Sequence, residues 1–198
     1  DDIGLYEREE NDLGPVYGHQ WRHFNAPYKT CHDDYEGKGV DQLDYIISCL
    51  KNPLTRNSRR LIMSAWNPCQ LPEMALPPCH ILVQFNVTEN DKLSCSLYQR
   101  SCDVGLGVPF NIASYSLLTH LIANHCGLVA TDFYYHLGNC HIYDDHLEAL
   151  KEQTTKKPYT FPTIKINSKK EDIEDYSLDD FEILNYTSHE KIKMEMRK

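Results

Sequence analysis

Between Gln42 and Lys51 the apolar residues Leu43, Ile46, Ile47 and Leu50 recur at helical spacing, which predicts a helix with one buried face. The segment Asn52-Pro53-Leu54-Thr55-Arg56-Asn57-Ser58 breaks it. Leu61 to Trp66 is a short apolar run and predicts a buried strand. His80 to Val87 and Leu93 to Gln99 are both strand-like, and Thr88 to Lys92 joins them as a hairpin. A long helical pattern follows from Ile112 to Cys126, closed by Gly127 just past its end. Phe133 to Leu137 predicts another strand, and His141 to Gln153 alternates like an exposed helix. From Pro158 the chain is punctuated by proline, with short strands at Thr163–Ile166 and Phe181–Leu184. Residues 1–11 are polar and expected to be loose, which leaves residues 12–198 as one domain. Strands and helices mixed without strict βαβ alternation indicate an α+β fold on one substantial sheet.

Composition narrows the class. The 198 residues, 41% hydrophobic and 25% charged, suit one soluble globular domain. No apolar run approaches the roughly 20 residues that cross a bilayer, and Asp1 to Leu5 resemble no signal peptide. The net charge of −9 gathers at the two ends, in Glu7, Glu9 and Glu10 and again from Glu171 to Asp180. Such a protein is a poor general binder of nucleic acid, so an anionic ligand needs a local exception. Arg56, Arg59, Arg60 and Arg100 are the candidates. The eight cysteines contain no C-x-x-C pair, which argues against a zinc site. Cys49, Cys95 and Cys126 sit in apolar segments as core thiols, so a reducing, intracellular compartment is expected, namely the cytoplasm. The N-x-T triplets at Asn86 and Asn185 read as chance matches.

Four segments carry groups capable of chemistry. In Ala75-Leu76-Pro77-Pro78-Cys79-His80 two prolines fix a cysteine in a loop just before a strand. The thiol is either a nucleophile or a structural cysteine at a strand entrance, because a thiol is inert without a basic neighbour. Tyr98-Gln99-Arg100-Ser101-Cys102-Asp103 ends the partner strand, so the hairpin brings Arg100 toward Cys79. There a guanidinium favours thiolate or binds an anion, unless it only makes a surface salt bridge. Gly105 to Asn111 places two glycines and an amide at the mouth of a helix. Asn111 can read the edge of a base, or it can cap the helix. His141-Ile142-Tyr143, at the start of a helix, offers two polar rings to a sugar hydroxyl, or to capping and packing.

Taken in order, these strings closely resemble thymidylate synthase. The resemblance rests on Leu76-Pro-Pro-Cys79-His80, Tyr98-Gln-Arg100-Ser-Cys-Asp103 and Gly107-Val-Pro-Phe-Asn111-Ile-Ala-Ser-Tyr. Gly14 to Phe24, Ser58-Arg59-Arg60, Ala65-Trp66-Asn67 and His141-Ile-Tyr143 extend it from about Asp12 to Met196. The wording is that of the eukaryotic or protozoan branch, some members of which carry dihydrofolate reductase upstream. The resemblance implies a large twisted mixed sheet at a homodimer interface, with flanking helices. It implies reductive methylation of dUMP to dTMP with 5,10-methylenetetrahydrofolate as co-substrate and no metal. Cys79 would add to C6 of the uracil, and Arg100 would activate the thiol and touch the phosphate beside Gln99 and Ser101. Arg59 and Arg60 would reach the nucleotide of the neighbouring subunit. Asn111 would bind the uracil edge, His141 and Tyr143 the 3′ hydroxyl, and Asp103 the pterin, with Leu76, Gly107 and Met196 also at the folate. Tyr17 and His80 would belong to the network that removes the proton from C5.

Three departures accompany the match. The N-terminal third of the family's domain, with an arginine, a glutamate and tryptophans of the site, does not appear before Tyr17. Arg197-Lys198 stands where the family ends in small apolar residues, so two cations would either change closure or draw the polyglutamate tail of the folate. Asn139-Cys140 replaces a common acidic residue and a small one before His141. The competing readings are a deoxycytidylate hydroxymethylase, for which a carboxylate at position 111 would be better suited, and an inactive nucleotide- or RNA-binding fragment.

Overall fold

The computed structural model describes residues 8–197, so most of the segment expected to be loose lies outside it. The chain is anchored from Asp12, whose nearly buried carboxylate accepts from Tyr28 Oη at 2.7 Å and from the Gly14 amide at 2.8 Å.

The first helix, α1 (Tyr17–His23), carries no periodic apolar stripe and escapes sequence reasoning; a buried amide holds it instead. Gln20, with no solvent exposure, donates to the Pro15 carbonyl at 2.8 Å and to Gln70 Oε1 at 2.9 Å. Helix α2 (Gln42–Lys51) spans the residues its periodicity predicts. Asp41 caps it by accepting from the Asp44 amide at 2.9 Å. Gln42 then ties it to both neighbours, donating to the carbonyls of Gln20 at 2.7 Å and Ser64 at 2.8 Å.

The main sheet has four strands in the order β1-β2-β3-β4. Strand β1 (Ile62–Ser64) is shorter than the apolar run, although its ladder to β2 continues through Phe85 N to Leu61 O and Ala65 N to Ile81 O. Strands β2 (His80–Thr88) and β3 (Lys92–Asp103) form the expected antiparallel hairpin. Its turn is built on Asn90 and Asp91 at φ 63° and 56°, a region that short polar side chains tolerate.

Helix α3 begins at Gly107, five residues before the predicted Ile112, and runs to Cys126. Pro109 is harmless in a first turn, whose amides have no intrahelical acceptor. Gly127 closes the helix at φ 71°, as its position predicts. This helix is the crossover that lets β4 (Val129–His141) pair parallel to β3. Strand β4 is far longer than Phe133–Leu137 because it follows β3 from Lys92↔Val129 to Asp103↔His141. The helix expected from His141 is thereby corrected: His141 ends a strand, a single 3-10 turn covers Asp144–His146, and α4 occupies only Leu147–Thr154. Strands β5 (Thr163–Ile166) and β6 (Phe181–Leu184) pair as a separate two-stranded sheet with the predicted bounds.

The core lies between the sheet and helices α2 and α3, where Ile46, Leu50, Leu61, Phe85, Leu93, Leu97 and Ile122 are fully buried. The opposite sheet face is uncovered and presents Ile62, Leu82, Tyr98 and Tyr134 to solvent. Of the cysteines read as core thiols, Cys95 and Cys126 are buried and Cys49 is half-buried, while Cys102 joins the buried set. Burial pushes the Cys95 and Cys126 thiols up to about 11, so neither is a nucleophile at neutral pH.

Phe85→Ala should lower unfolding stability by about 3–5 kcal/mol, whereas Leu54→Ala, at a side chain 93% exposed, should stay within about 0.5 kcal/mol. Guanidinium unfolding of both variants measures the contrast.

Candidate active site

Strands β2, β3 and β4 and the first turns of α3 converge on a cavity of about 800 Å³. Its walls include Tyr17, Leu76, Cys79, His80, Gln99, Arg100, Ser101, Asp103, Gly107, Asn111, His141, Tyr143 and Met196. All the predicted site residues are therefore brought together, except Arg59 and Arg60. Those two are exposed in the turn ahead of β1 and do not line this cavity. Nor is Arg56 free for an anion, because it binds Asp91 Oδ1 at 2.6 Å.

Cys79 sits where the two prolines suggest, in the residue before β2. Its amide donates to Tyr17 Oη at 2.7 Å, and its carbonyl accepts from the Arg100 amide at 2.8 Å. Arg100 reaches back over the proline loop, donating from Nε to Pro78 O at 2.8 Å and from an Nη to Pro77 O at 2.7 Å. Both acceptors are neutral, so the guanidinium is oriented without losing its charge, and the Trp66 ring lies 5.7 Å beneath it. Burial pushes the Tyr17 phenol above its ordinary range against the opposing pull of the Cys79 amide. Tyr17 therefore keeps its proton and can donate it to a ligand or water.

A chain of hydrogen bonds crosses the floor of the cavity, and one backbone carbonyl fixes its direction. Ser101 O can only accept, so the group 2.9 Å away must be the nitrogen of Gln99. The same nitrogen donates to Asn111 Oδ1 at 3.0 Å, and Gln99 Oε1 accepts from Tyr135 Oη at 2.6 Å. Asn111 must then turn its nitrogen to His80 Nε2, 3.1 Å away, which makes Nε2 the acceptor and puts the ring proton on Nδ1. Nδ1 lies 3.2 Å from Tyr115 Oη. Burial lowers the His80 pKa, in keeping with a neutral ring, and Tyr17 stacks on it at 4.7 Å.

The helix-cap reading of Asn111 is corrected by this arrangement, because Asn111 lies inside α3 and Asp103 does the capping. The Asp103 carboxylate accepts from the amides of Gly105, Leu106 and Gly107 at 3.0–3.2 Å. A carboxylate offers about four acceptor positions, so roughly one remains for a ligand. Gln99 is only 2% exposed and points to Asn111 and Tyr135 rather than to an anion. His141 is oriented by Asn139, whose carbonyl and side-chain oxygen lie 3.2 and 3.1 Å from Nδ1. An amide thus orients the ring as a carboxylate would, without its charge. Tyr115, Tyr135 and His146 escape sequence reasoning. Tyr135 shares its inward parity with Phe133, but only the β3–β4 register places it beside Gln99.

The thymidylate synthase family model matches residues 4–198. The chain belongs to the thymidylate synthase family. It is 56% identical over 196 residues to a bifunctional dihydrofolate reductase-thymidylate synthase of Paramecium tetraurelia, covering 99% of this chain and 42% of that protein. The bifunctional protein of Plasmodium berghei is also 56% identical over 196 residues, with 33% of its length covered. The thymidylate synthase of Saccharomyces cerevisiae is 54% identical over 205 residues, covering 99% of this chain and 66% of the relative. The chain thus spans less than half the length of the bifunctional relatives. The family agrees with the mixed sheet and flanking helices described above.

Long-range ¹⁵N–¹H NMR should find His80 titrating below the ordinary value of 6.5 and carrying its proton on Nδ1 when neutral. The unfolded chain binds that proton at higher pH than the native state does. The histidine's contribution to stability is therefore full above the ordinary value and is lost as pH falls through the lowered one. A proton on Nε2 would contradict the hydrogen-bond directions.

Proposed function

We propose that the protein methylates dUMP to dTMP reductively, with Cys79 as the nucleophile and 5,10-methylenetetrahydrofolate as co-substrate. The observation that carries this reading is the fixed orientation of Asn111 in the cavity that also contains Cys79. One lone pair of Asn111 Oδ1 and one N–H of its nitrogen remain after the bonds to Gln99 and His80. They match N3–H and O4 of uracil. Cytosine presents the reverse pattern, and turning the amide to suit it would break both bonds, so a deoxycytidylate hydroxymethylase is disfavoured.

Addition of the Cys79 sulfur to C6 moves the ring electrons toward C5 and O4 and makes C5 a nucleophile. The folate supplies the one-carbon unit and the hydride that reduces it. A cavity of about 800 Å³ with Leu76, Leu106, Phe110 and Met196 on its apolar side suits two flat ligands. Asp103 keeps an acceptor for the pterin, Gly107 allows close approach, and His141 and Tyr143 stand where a 3′ hydroxyl would lie. Tyr17, with its proton retained, and neutral His80 belong to the network that carries away the C5 proton. Arg100 and Ser101 hold the phosphate, with Gln99 supporting Asn111 beside them. Residues 12–198 belong to the catalytic domain.

The uncovered sheet face supports a homodimer, since an apolar patch of this kind calls for a partner. Arg59 and Arg60 would then extend to the phosphate in the neighbouring site. The dihydrofolate released requires a reductase, fused as in the relatives' names or separate. No helix among the described residues is long and apolar enough to cross a membrane, and eight unpaired cysteines suit a reducing cytoplasm.

The full-length protein incubated with 5-fluoro-dUMP and methylenetetrahydrofolate should form a covalent ternary adduct, located on Cys79 by mass spectrometry and absent from Cys79→Ala. No adduct on the wild-type protein would defeat the proposal. Mixing Cys79→Ala with the Arg59→Ala/Arg60→Ala double variant under subunit exchange should restore activity that neither variant has alone. No recovery despite exchange would place the two arginines outside the neighbouring site.

A further inference from the structure

Helix α3 starts at the cavity that holds Cys79 and runs for 20 residues. At roughly 1.5 Å per residue its C-terminus lies about 30 Å from that cavity. There a second pocket, of about 570 Å³, opens between the last turns of α2 and α3 and the segment after β5. Its lining is Lys51, His125, Cys126, Lys169, Lys170 and Glu171. Polar bonds tie these walls together. Asn124 in α3 donates to the Ser168 carbonyl at 3.2 Å, and the Lys170 amide donates to Tyr176 Oη at 3.2 Å.

The charges around the pocket are unevenly matched. Lys170 is paired with Asp180 at 3.1 Å, whereas neither Lys51 nor Lys169 has an ion-pair partner among the described residues. Lys51 ends α2, where a cation complements the helix carbonyls. That role does not account for the histidine. His125 is 2% exposed and stands edge-on to Tyr176 with ring centroids 5.9 Å apart, yet its Nδ1 is buried without a hydrogen-bond partner. Buried polar atoms are ordinarily satisfied. Burial, and then Lys51 and Lys169, hold the His125 pKa below its ordinary value against the pull of Asp172. Burial pushes the Cys126 thiol up, and the same two lysines oppose it. Both cations therefore bear on one spot at the end of α3. An oxyanion accepts from ammonium groups and from an imidazole N–H alike.

We propose that this pocket binds a phosphate group, held by Lys51 and Lys169 with the imidazole of His125 as a further donor. The site is separate from the cavity of Cys79 and does not depend on the function proposed above. Two lysines against one lining carboxylate, Glu171, give a modest net attraction, so the affinity is weak, in the millimolar range. The volume leaves room for part of a molecule that carries the phosphate.

The ring resonances of His125 report on the pocket directly in the full-length protein, and His125→Gln identifies them. Titration with inorganic phosphate at constant ionic strength should shift them along a saturable curve, whereas chloride in its place should not. Each exposed charge contributes up to about five-fold. The midpoint should thus rise about ten-fold or more in Lys51→Ala/Lys169→Ala and fall about two- to five-fold in Glu171→Gln. Both lysines are exposed, so their removal leaves the fold intact. Glycerol phosphate separates the two sources of the ligand: a midpoint close to that of inorganic phosphate assigns the pocket to a phosphate ester, and no shift assigns it to the free ion. No saturable shift with either ligand, or the same shift with chloride, overturns the site. A midpoint that does not rise on loss of the lysines, or does not fall on loss of the Glu171 charge, overturns it equally.

Discussion

Gln99 is a carboxamide buried on the inner face of a sheet, between strands that otherwise contribute Leu97, Cys95 and Phe133 to the core. Leaving one of its polar atoms without a partner would cost about 1–3 kcal/mol. Every bond it makes is therefore under strong constraint, and the backbone carbonyl of Ser101 sets its sense. From that single acceptor the orientation passes to Asn111 and then to His80. The cavity consequently presents one pattern of donors and acceptors rather than a choice of two. On the function proposed above, specificity for a pyrimidine edge would be a by-product of satisfying a buried amide.

A second buried polar set does the corresponding work for Tyr17. Gln20, Asn67 and Gln70 share hydrogen bonds at 2.9–3.3 Å, and Gln70 adds the Ala26 carbonyl. These bonds lock a seven-residue helix too short to be stable by itself. Tyr17 can then meet the Cys79 amide across 62 residues of sequence. The floor and wall of the site are thus held by buried polar bonds, while Met196 and Arg197 at its edge are exposed. That division is what a site must have if ligands enter and leave without disturbing the reacting groups.

Legibility in the sequence follows the same division. Where periodicity reports burial, as in α2, the bounds are right to the residue, and the short strands β5 and β6 also match. The hairpin and the glycine stop of α3 are equally plain, because turn chemistry is local. The errors fall where long-range pairing or polar contacts decide. Strand β4 extends through Gly138 and Asn139 because β3 is there to pair with it, which no window on the chain reveals. His141 looks like the first residue of a helix because the alternation after it is amphipathic, yet the ladder claims it. Asn111 looks like a cap because Asp103, which does the capping, lies eight residues earlier across a turn. The site's composition was readable from its motifs; the roles of Gln99 and Tyr135 needed the register.

The electrostatics of the cavity bear on the homodimer proposed above. The protein is acidic, with a net charge of −9, and a nucleotide is anionic. Within this cavity Arg197 is engaged by Asp145, so Arg100 is the cation whose bonds go only to neutral carbonyls. A single guanidinium can orient a phosphate, but charge-assisted recognition of a dianion gains much from a second or third. Arg59 and Arg60 lie exposed ahead of β1, outside their own cavity, while the adjoining sheet face keeps Ile62, Leu82, Tyr98 and Tyr134 in water. The proposed homodimer would resolve both the exposed cations and the exposed apolar face beside them. Pairing that face with a second copy would bury the apolar residues and bring the arginines within reach of a site that has too little positive charge of its own.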